Sequence, residues 1–117
     1  MAAPNIVNVA TITGKTAVQA VGTSAAAIVT NSGSSNKVFK VNALYVSNID
    51  GTNNADITVD LYRSSTAYHI AKTVSVPADS TLDILSKAIY LEEGDALRLT
   101  ANAASDLEAV CSYEEIS

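Results

Sequence analysis

The sequence predicts an all-β protein: a single antiparallel β-sandwich, jelly-roll-like, of about eight strands with no substantial helix. Three observations carry that prediction. Apolar and polar residues alternate with period 2, most strictly where Ile57, Val59 and Leu61 interleave with Asp56, Thr58 and Asp60, the pattern of a half-buried strand. Turn residues recur at roughly ten-residue spacing between such segments. The apolar content is 48%, rich in Ala and Val, with no Trp and Phe39 as the single Phe. Small and β-branched residues mixed with Thr, Ser and Asn suit pleated sheets with one wet face. A chain of 117 residues fits one domain and buries enough surface to stand without metal or disulfide.

Residues 37–61 organise the chain as two long strands joined by a polar turn. Val38, Phe39, Val41, Ala43, Leu44, Tyr45, Val46 and Ile49 form its richest apolar run. That run is apolar on both faces around residues 43–46, which places it centrally, covered on both sides or at an interface. Asp50-Gly51-Thr52-Asn53-Asn54 supplies turn residues that tolerate positive φ and cap their own backbone.

Ahead of it, residues 5–13 alternate weakly, Ile6 and Asn8 facing one way and Val7, Val9 and Thr11 the other; Gly14-Lys15 breaks the run and residues 16–21 resume it. This ribbon has few large side chains, so residues 1–21 are expected to form an edge strand or exchanged arm on a body spanning residues 22–117. Residues 24–30 read as a strand through Ile28-Val29-Thr30, and residues 31–36 as a loop. After a turn at Ser64-Ser65-Thr66, one face carries Tyr68, Ile70, Lys72, Val74 and Val76, and the other His69, Ala71, Thr73 and Ser75. Pro77 ends that strand because it donates nothing to a ladder. Short strands follow at Leu82–Ile84 and residues 88–91, then a tight turn with Gly94 at positive φ. Leu97, Leu99 and Ala101 mark the next strand. The last places Leu107, Ala109, Cys111 and Tyr113 inward and Glu108, Ser112 and Glu114 outward.

The net charge of −5 is divided unevenly: residues 1–49 hold Lys15, Lys37 and Lys40 with no acid, and residues 50–117 hold all 12 acids. The split reflects either chance and solubility or a basic first third that meets an acidic surface, on its own later strands or on a neighbouring copy. So few Lys and Arg make a poor phosphate-backbone binder, so no nucleic acid is expected. No apolar run reaches the ~20 residues of a membrane span, and residues 1–13 lack a basic n-region and an unbroken apolar core, so neither membrane nor signal peptide is expected.

Candidate chemistry is sparse. His69, the single histidine, has no nucleophile at a motif spacing. Cys111 lies among inward residues as an inert core thiol and excludes an intrachain disulfide, being the only cysteine. The 50–56 loop places oxygens at alternate positions but has its glycine second and no bidentate Glu, so turn chemistry outweighs calcium. Glu92, Glu93 and Asp95 flank a turn glycine, the mark of a solvated corner. No cofactor, metal or enzyme activity is expected. Tyr62 and Tyr68 are candidates for a sugar platform, with strand-face packing an equal explanation.

Three stretches, KVFKVNALYVSNIDGTNNADITVDLY, SVPADSTLDILSKAIYLEEGDALRLTA and SDLEAVCSYEEI, resemble small virion structural proteins of tailed bacteriophages, those of marine cyanobacterial phages most closely. The resemblance covers residues 5–116 and rests on packing and turn motifs. It implies a β-sandwich accessory protein in the virion, most readily a capsid decoration (cement) protein. A neck or tail component, or a carbohydrate-binding module on the virion surface, are the alternatives. The expected partners are the major capsid protein or neck and tail proteins, together with further copies of the chain in a homo-oligomer, a trimer. The candidate contact residues are Ile6, Val7, Val9, Ile12 and Lys15 on the N-terminal ribbon, and Tyr45, Tyr62 and Tyr68 on strand faces.

Overall fold

The computed structural model describes residues 4–117; residues 1–3, the start of the expected arm, lie outside the described residues. Nine strands form two antiparallel sheets, and no helix occurs among the described residues. They are β1 (Ile12–Ala20), β2 (Ala26–Thr30), β3 (Val38–Asn48), β4 (Ala55–Arg63), β5 (Thr66–Val76), β6 (Thr81–Asp83), β7 (Ile89–Leu91), β8 (Ala96–Ala101) and β9 (Leu107–Ile116). The five-stranded sheet runs β1-β9-β3, with β6 and β7 sharing the lane beyond β3; the four-stranded sheet runs β2-β8-β4-β5. This is the expected β-sandwich.

The inner faces carry the residues that alternation selects. Leu44, Val46, Ile57, Val59, Leu97, Leu99, Leu107, Ala109 and Cys111 are all buried in one core, and Phe39 meets Tyr113 with ring centroids 5.6 Å apart. Only β4–β5 is a hairpin between consecutive strands; nearly every other connection carries the chain from one sheet to the other. The β4–β5 turn sits at Ser64 and Ser65, both at positive φ (51° and 61°), the type I′ geometry that matches strand twist.

β3 and β4 do not pair with each other. They lie in different sheets, which corrects the reading of residues 37–61 as a strand pair closed by a turn. The reason is local. Asp50 Oδ1 accepts from the Thr52 and Asn53 amides (2.8 and 3.2 Å), and Gly51 stays out of the positive-φ region, so the loop caps itself and swings outward. Asn48, buried at the end of β3, fixes the crossing: its Nδ2 donates to the carbonyls of Asn53 and Val76 (2.9 Å each), and its Oδ1 accepts from the Asp50 amide. Asn31 does the same at the crossing from β2 to β3, donating to the carbonyls of Lys37 and Leu91. Both are buried polar groups made tolerable by complete pairing.

The N-terminus also differs from its reading. Residues 5–8 form a turn, with the Val7 amide donating to Asn5 Oδ1 (3.0 Å), and β1 then runs unbroken through Gly14-Lys15. Gly14 does not terminate the strand because the ladder with β9 continues across it, Gly14 opposite Glu114 and Lys15 opposite Tyr113. β1 lies at one end of the five-stranded sheet. The uneven charge closes within the chain: Lys15 Nζ and Lys37 Nζ both reach the Glu115 carboxylate, at 2.9 and 3.0 Å. Hydrogen bonds from Lys15 and then Lys37 hold that carboxyl below its usual range.

Candidate interaction surface

His69 is exposed on β5 opposite Asp60. Among the described residues no group of His, Cys, Asp or Glu is arranged to hold a metal ion, and no helix is long and apolar enough to cross a membrane.

The acidic turn after β7 is not a solvated corner throughout. Asp95 is 1% exposed. Arg63, at the end of β4, grips it with Nε to Oδ1 (2.7 Å) and Nη2 to Oδ2 (2.6 Å), and Nη2 also reaches Glu92 (2.8 Å). The Glu92 amide donates to Asp95 Oδ2 (2.8 Å). Burial pushes the Asp95 carboxyl up, but the Arg63 hydrogen bond, the Glu92 amide and the Arg63 charge together outweigh it, leaving the group below the usual carboxylate range. Arg63, Ser64, Glu92, Glu93, Gly94 and Asp95 line a shallow concavity of about 270 Å³. Arg63 is shared by Asp95 and Glu92, and Glu93 Oε2 accepts from the Asn36 amide (3.0 Å), so the concavity is a clasp between two turns.

Cys111 is buried beneath the sheets, and burial pushes its thiol up to about 11. Thiol reagents attack the thiolate, so Cys111 is expected to react with an aromatic disulfide reagent only as fast as the native protein opens. Rapid labelling without denaturant, followed by absorbance, would contradict that placement.

The outer face of the five-stranded sheet is different. Register places Val18 of β1, Val110 of β9 and Tyr45 of β3 side by side in one transverse row. They are 75%, 42% and 44% exposed. Val18, Gln19, Ala20, Glu108, Ala109 and Val110 enclose a shallow concavity of about 260 Å³. Three adjacent apolar side chains on a wet face are the composition of a contact surface. Of the residues expected from sequence to make contacts, Tyr45 joins this row and Ile12 lies on β1 with Val18, exposed. Ile6 and Val7 are exposed in the turn before β1, Val9 is partly covered, and Lys15 is engaged with Glu115.

Tyr62 and Tyr68 are not brought together. Tyr68 pairs with Leu61 and Tyr62 with Ala67, so the two tyrosines occupy opposite faces of the four-stranded sheet. Arg98 also covers Tyr62, its guanidinium carbon 3.8 Å from the ring centroid while Nε and Nη2 hold Asp60. The expected sugar platform is therefore not formed by this pair. Val18 and Val110 were missing from the sequence-derived candidates; the available signal was Val110 itself, an apolar residue in the outward set with Glu108, Ser112 and Glu114.

No protein-family profile and no curated protein matches the sequence. Among solved structures, the chain is similar to a protein of Bacillus endospore appendages, described as a novel family of disulfide-linked pili: TM-score 0.52, 17% identity, over 92% of this chain and 88% of that one. It also aligns with a pentameric capsid protein from metagenomic phage sequences, with TM-score 0.43 and 19% identity over 86% of this chain and 60% of that one. This chain thus spans less than two thirds of that capsid protein's length. The first likeness is one of fold.

Proposed function

We propose that this chain is a non-enzymatic structural subunit of a tailed-phage virion, a capsid decoration protein that binds the particle as an oligomer, a trimer. The observation that carries the reading is the exposed row Val18–Val110–Tyr45, on a sheet face of a sandwich whose buried carboxylates Asp60 and Asp95 are paired with Arg98 and Arg63. Such a molecule offers surface for assembly. The sequence resemblance to small virion proteins of tailed phages supports the particle, and the major capsid protein is the partner that a decoration role requires. The turn before β1, with Ile6 and Val7 exposed, serves as the arm.

Antibody labelling of tailed-phage particles that carry the chain tests this reading. Gold over the capsid is the expected result. Gold confined to the neck or tail would replace decoration by an accessory role there, and its absence from particles would overturn the virion reading. Removing residues 1–9 leaves the β1–β9 ladder intact, so undiminished particle binding by that variant would overturn the arm.

A further inference from the structure

The sheet edges of this sandwich are not alike. The pairing of β5 with β4 is interrupted twice by register shifts, and Thr73 takes a left-handed φ of 48° with its amide donated to Thr58 Oγ1 (3.0 Å). β2 has five residues and a register shift between Ala27 and Val29, and β6 and β7 have three residues each. Short and bulged strands are how edges avoid pairing with another chain. β1 has neither protection. Its nine residues pair with β9 without a shift, it contains no proline, and its single charge, Lys15, is engaged with Glu115.

The hydrogen bonds say which atoms of β1 are open. Thr11 and Ser117 exchange both amide–carbonyl bonds at one end of the ladder with β9 (2.9 Å each), and the Val21 amide donates to the Leu107 carbonyl at the other. Alternate residues of an antiparallel strand point their backbone groups at the same neighbour. The odd-numbered residues between Thr11 and Val21 therefore face β9. Ile12, Gly14, Thr16, Val18 and Ala20 turn their amides and carbonyls to the other side, where no described strand lies.

Two further features of β1 have no explanation within one copy. Gly14 stands in the strand with φ outside the positive region and nothing within 4 Å of where a Cβ would sit. Neither a turn nor a close neighbour in this chain calls for a glycine there. Gln19 Oε1, alone among the described side-chain atoms, is buried without a hydrogen-bond partner, while Nε2 of the same residue donates to the Ala27 carbonyl (3.1 Å).

We propose that β1 of one copy pairs antiparallel with β1 of a second copy about a two-fold axis through Thr16, continuing the five-stranded sheets of the two into one. In that register Ile12 faces the second copy's Ala20, Gly14 its Val18 and Thr16 its Thr16, so every open amide and carbonyl of β1 is met. Val18, 75% exposed, lies across from the space that Gly14 leaves, and a branched side chain opposite a strand glycine supplies packing the glycine lacks. On the inner side the second copy's Thr13 comes opposite Gln19 and brings a hydroxyl donor to Oε1. Lys15 comes opposite Ala17. An axis through Lys15 would set two lysines directly against each other, which is destabilising, and an axis through Ala17 would leave the open groups of Ile12 beyond the end of the second β1. The occupant is thus chosen by β1 itself, whose gap, knob, donor and orphaned acceptor match one another in one register. A two-fold contact closes as a dimer. It is separate from a three-fold contact and from the particle, so it goes beyond the reading above without resting on it.

The experiment is disulfide trapping of the whole chain under mild air oxidation, read on a denaturing gel without reductant. Hydrogen-bonded partners in an antiparallel pair lie about 5.5 Å apart at Cα, within disulfide reach, so Thr16→Cys should link two copies through the axis. Val18→Cys is the comparison. It is well exposed, yet the register holds it about 14 Å along the strand from its mate, so it should stay unlinked. Adding Val18→Pro to Thr16→Cys removes one open amide from each copy and none from the β9 ladder, and should cut linking about tenfold. Adding Thr13→Val removes the donor to Gln19 and should lower linking by a smaller factor. Wild-type melting curves are the control for folding, and Cys111, buried in every variant, stays silent. A Thr16→Cys chain that stays unlinked would leave the β1 edge to a strand of another protein and overturn pairing between copies. Equal linking at positions 16 and 18, as random collision gives, would overturn it too, as would linking that Val18→Pro and Thr13→Val leave unchanged. None of these outcomes bears on particle labelling, so failure here and failure of the virion role are separable.

Discussion

Arg63→Met is expected to lower the unfolding free energy at neutral pH by about 2–3 kcal/mol, below the full cost of breaking a buried pair because Arg63 itself is partly solvated. The stem of the arginine is replaced by one of similar shape, so little packing is lost. What changes is the state of Asp95, whose side chain is 2% exposed against 43% for Arg63. In the native protein the carboxyl sits below its usual range. It therefore contributes stability above the unfolded-state value and loses it as pH falls through the lowered one. Without Arg63, burial acts with only the Glu92 amide against it, and the carboxyl moves above its usual range. A raised folded value contributes stability at low pH that disappears as pH rises through it. The two stability curves should therefore approach each other on acidification. Urea unfolding followed by circular dichroism at pH 7 and pH 4 measures this. A deficit equal at both pH values would mean that Asp95 is not the group left stranded.

That clasp shows where the sequence was readable and where it was not. Alternation holds over the first half of β9, where Leu107, Ala109 and Cys111 are buried as the pattern demands. Pro77 and Gly94 stop and turn the chain where their backbone chemistry requires. Asp95, by contrast, belongs to an acidic turn that looks solvated until Arg63, 32 residues earlier, is folded onto it. Period-2 patterning reports which face of a strand is buried and is silent on which sheet the strand joins. That is why β3 and β4 read as neighbours. The same limit explains the exposed row. Tyr45 was visible as a large residue on a strand apolar on both faces, but its row with Val110 and Val18 exists only once β1, β9 and β3 are in register. Tyr62 was misjudged because its ring is covered by Arg98, brought in by the pairing of β4 with β8.

The crossing that the pattern could not reveal makes the other large prediction. Asn48→Ala removes two donors from the carbonyls of Asn53 and Val76 and the acceptor of the Asp50 amide. Leaving buried partners unsatisfied costs about 1–3 kcal/mol each, and partial access of water to the loop brings the total to about 2–3 kcal/mol. Asn48→Asp is nearly isosteric and should be worse, by about 1 kcal/mol more, because its ionised oxygens face two carbonyls with no proton to offer. Acid should return part of that loss, since protonation restores one donor; the raised folded pKa contributes stability at low pH that is lost as pH rises through it. Alanine, with nothing to titrate, should show no such recovery. Thermal unfolding of both variants across pH separates them, and an aspartate variant as stable as the alanine one at pH 7 would remove Asn48 as the donor that sets the crossing. The structural consequence is specific. Asn48 ties the end of β3 in one sheet to the end of β5 in the other through the Val76 carbonyl, so loss of that tie frees the end of β5. Amide exchange at residues 74–76 should rise well before that of β9, whose ladder with β1 and β3 the substitution leaves untouched.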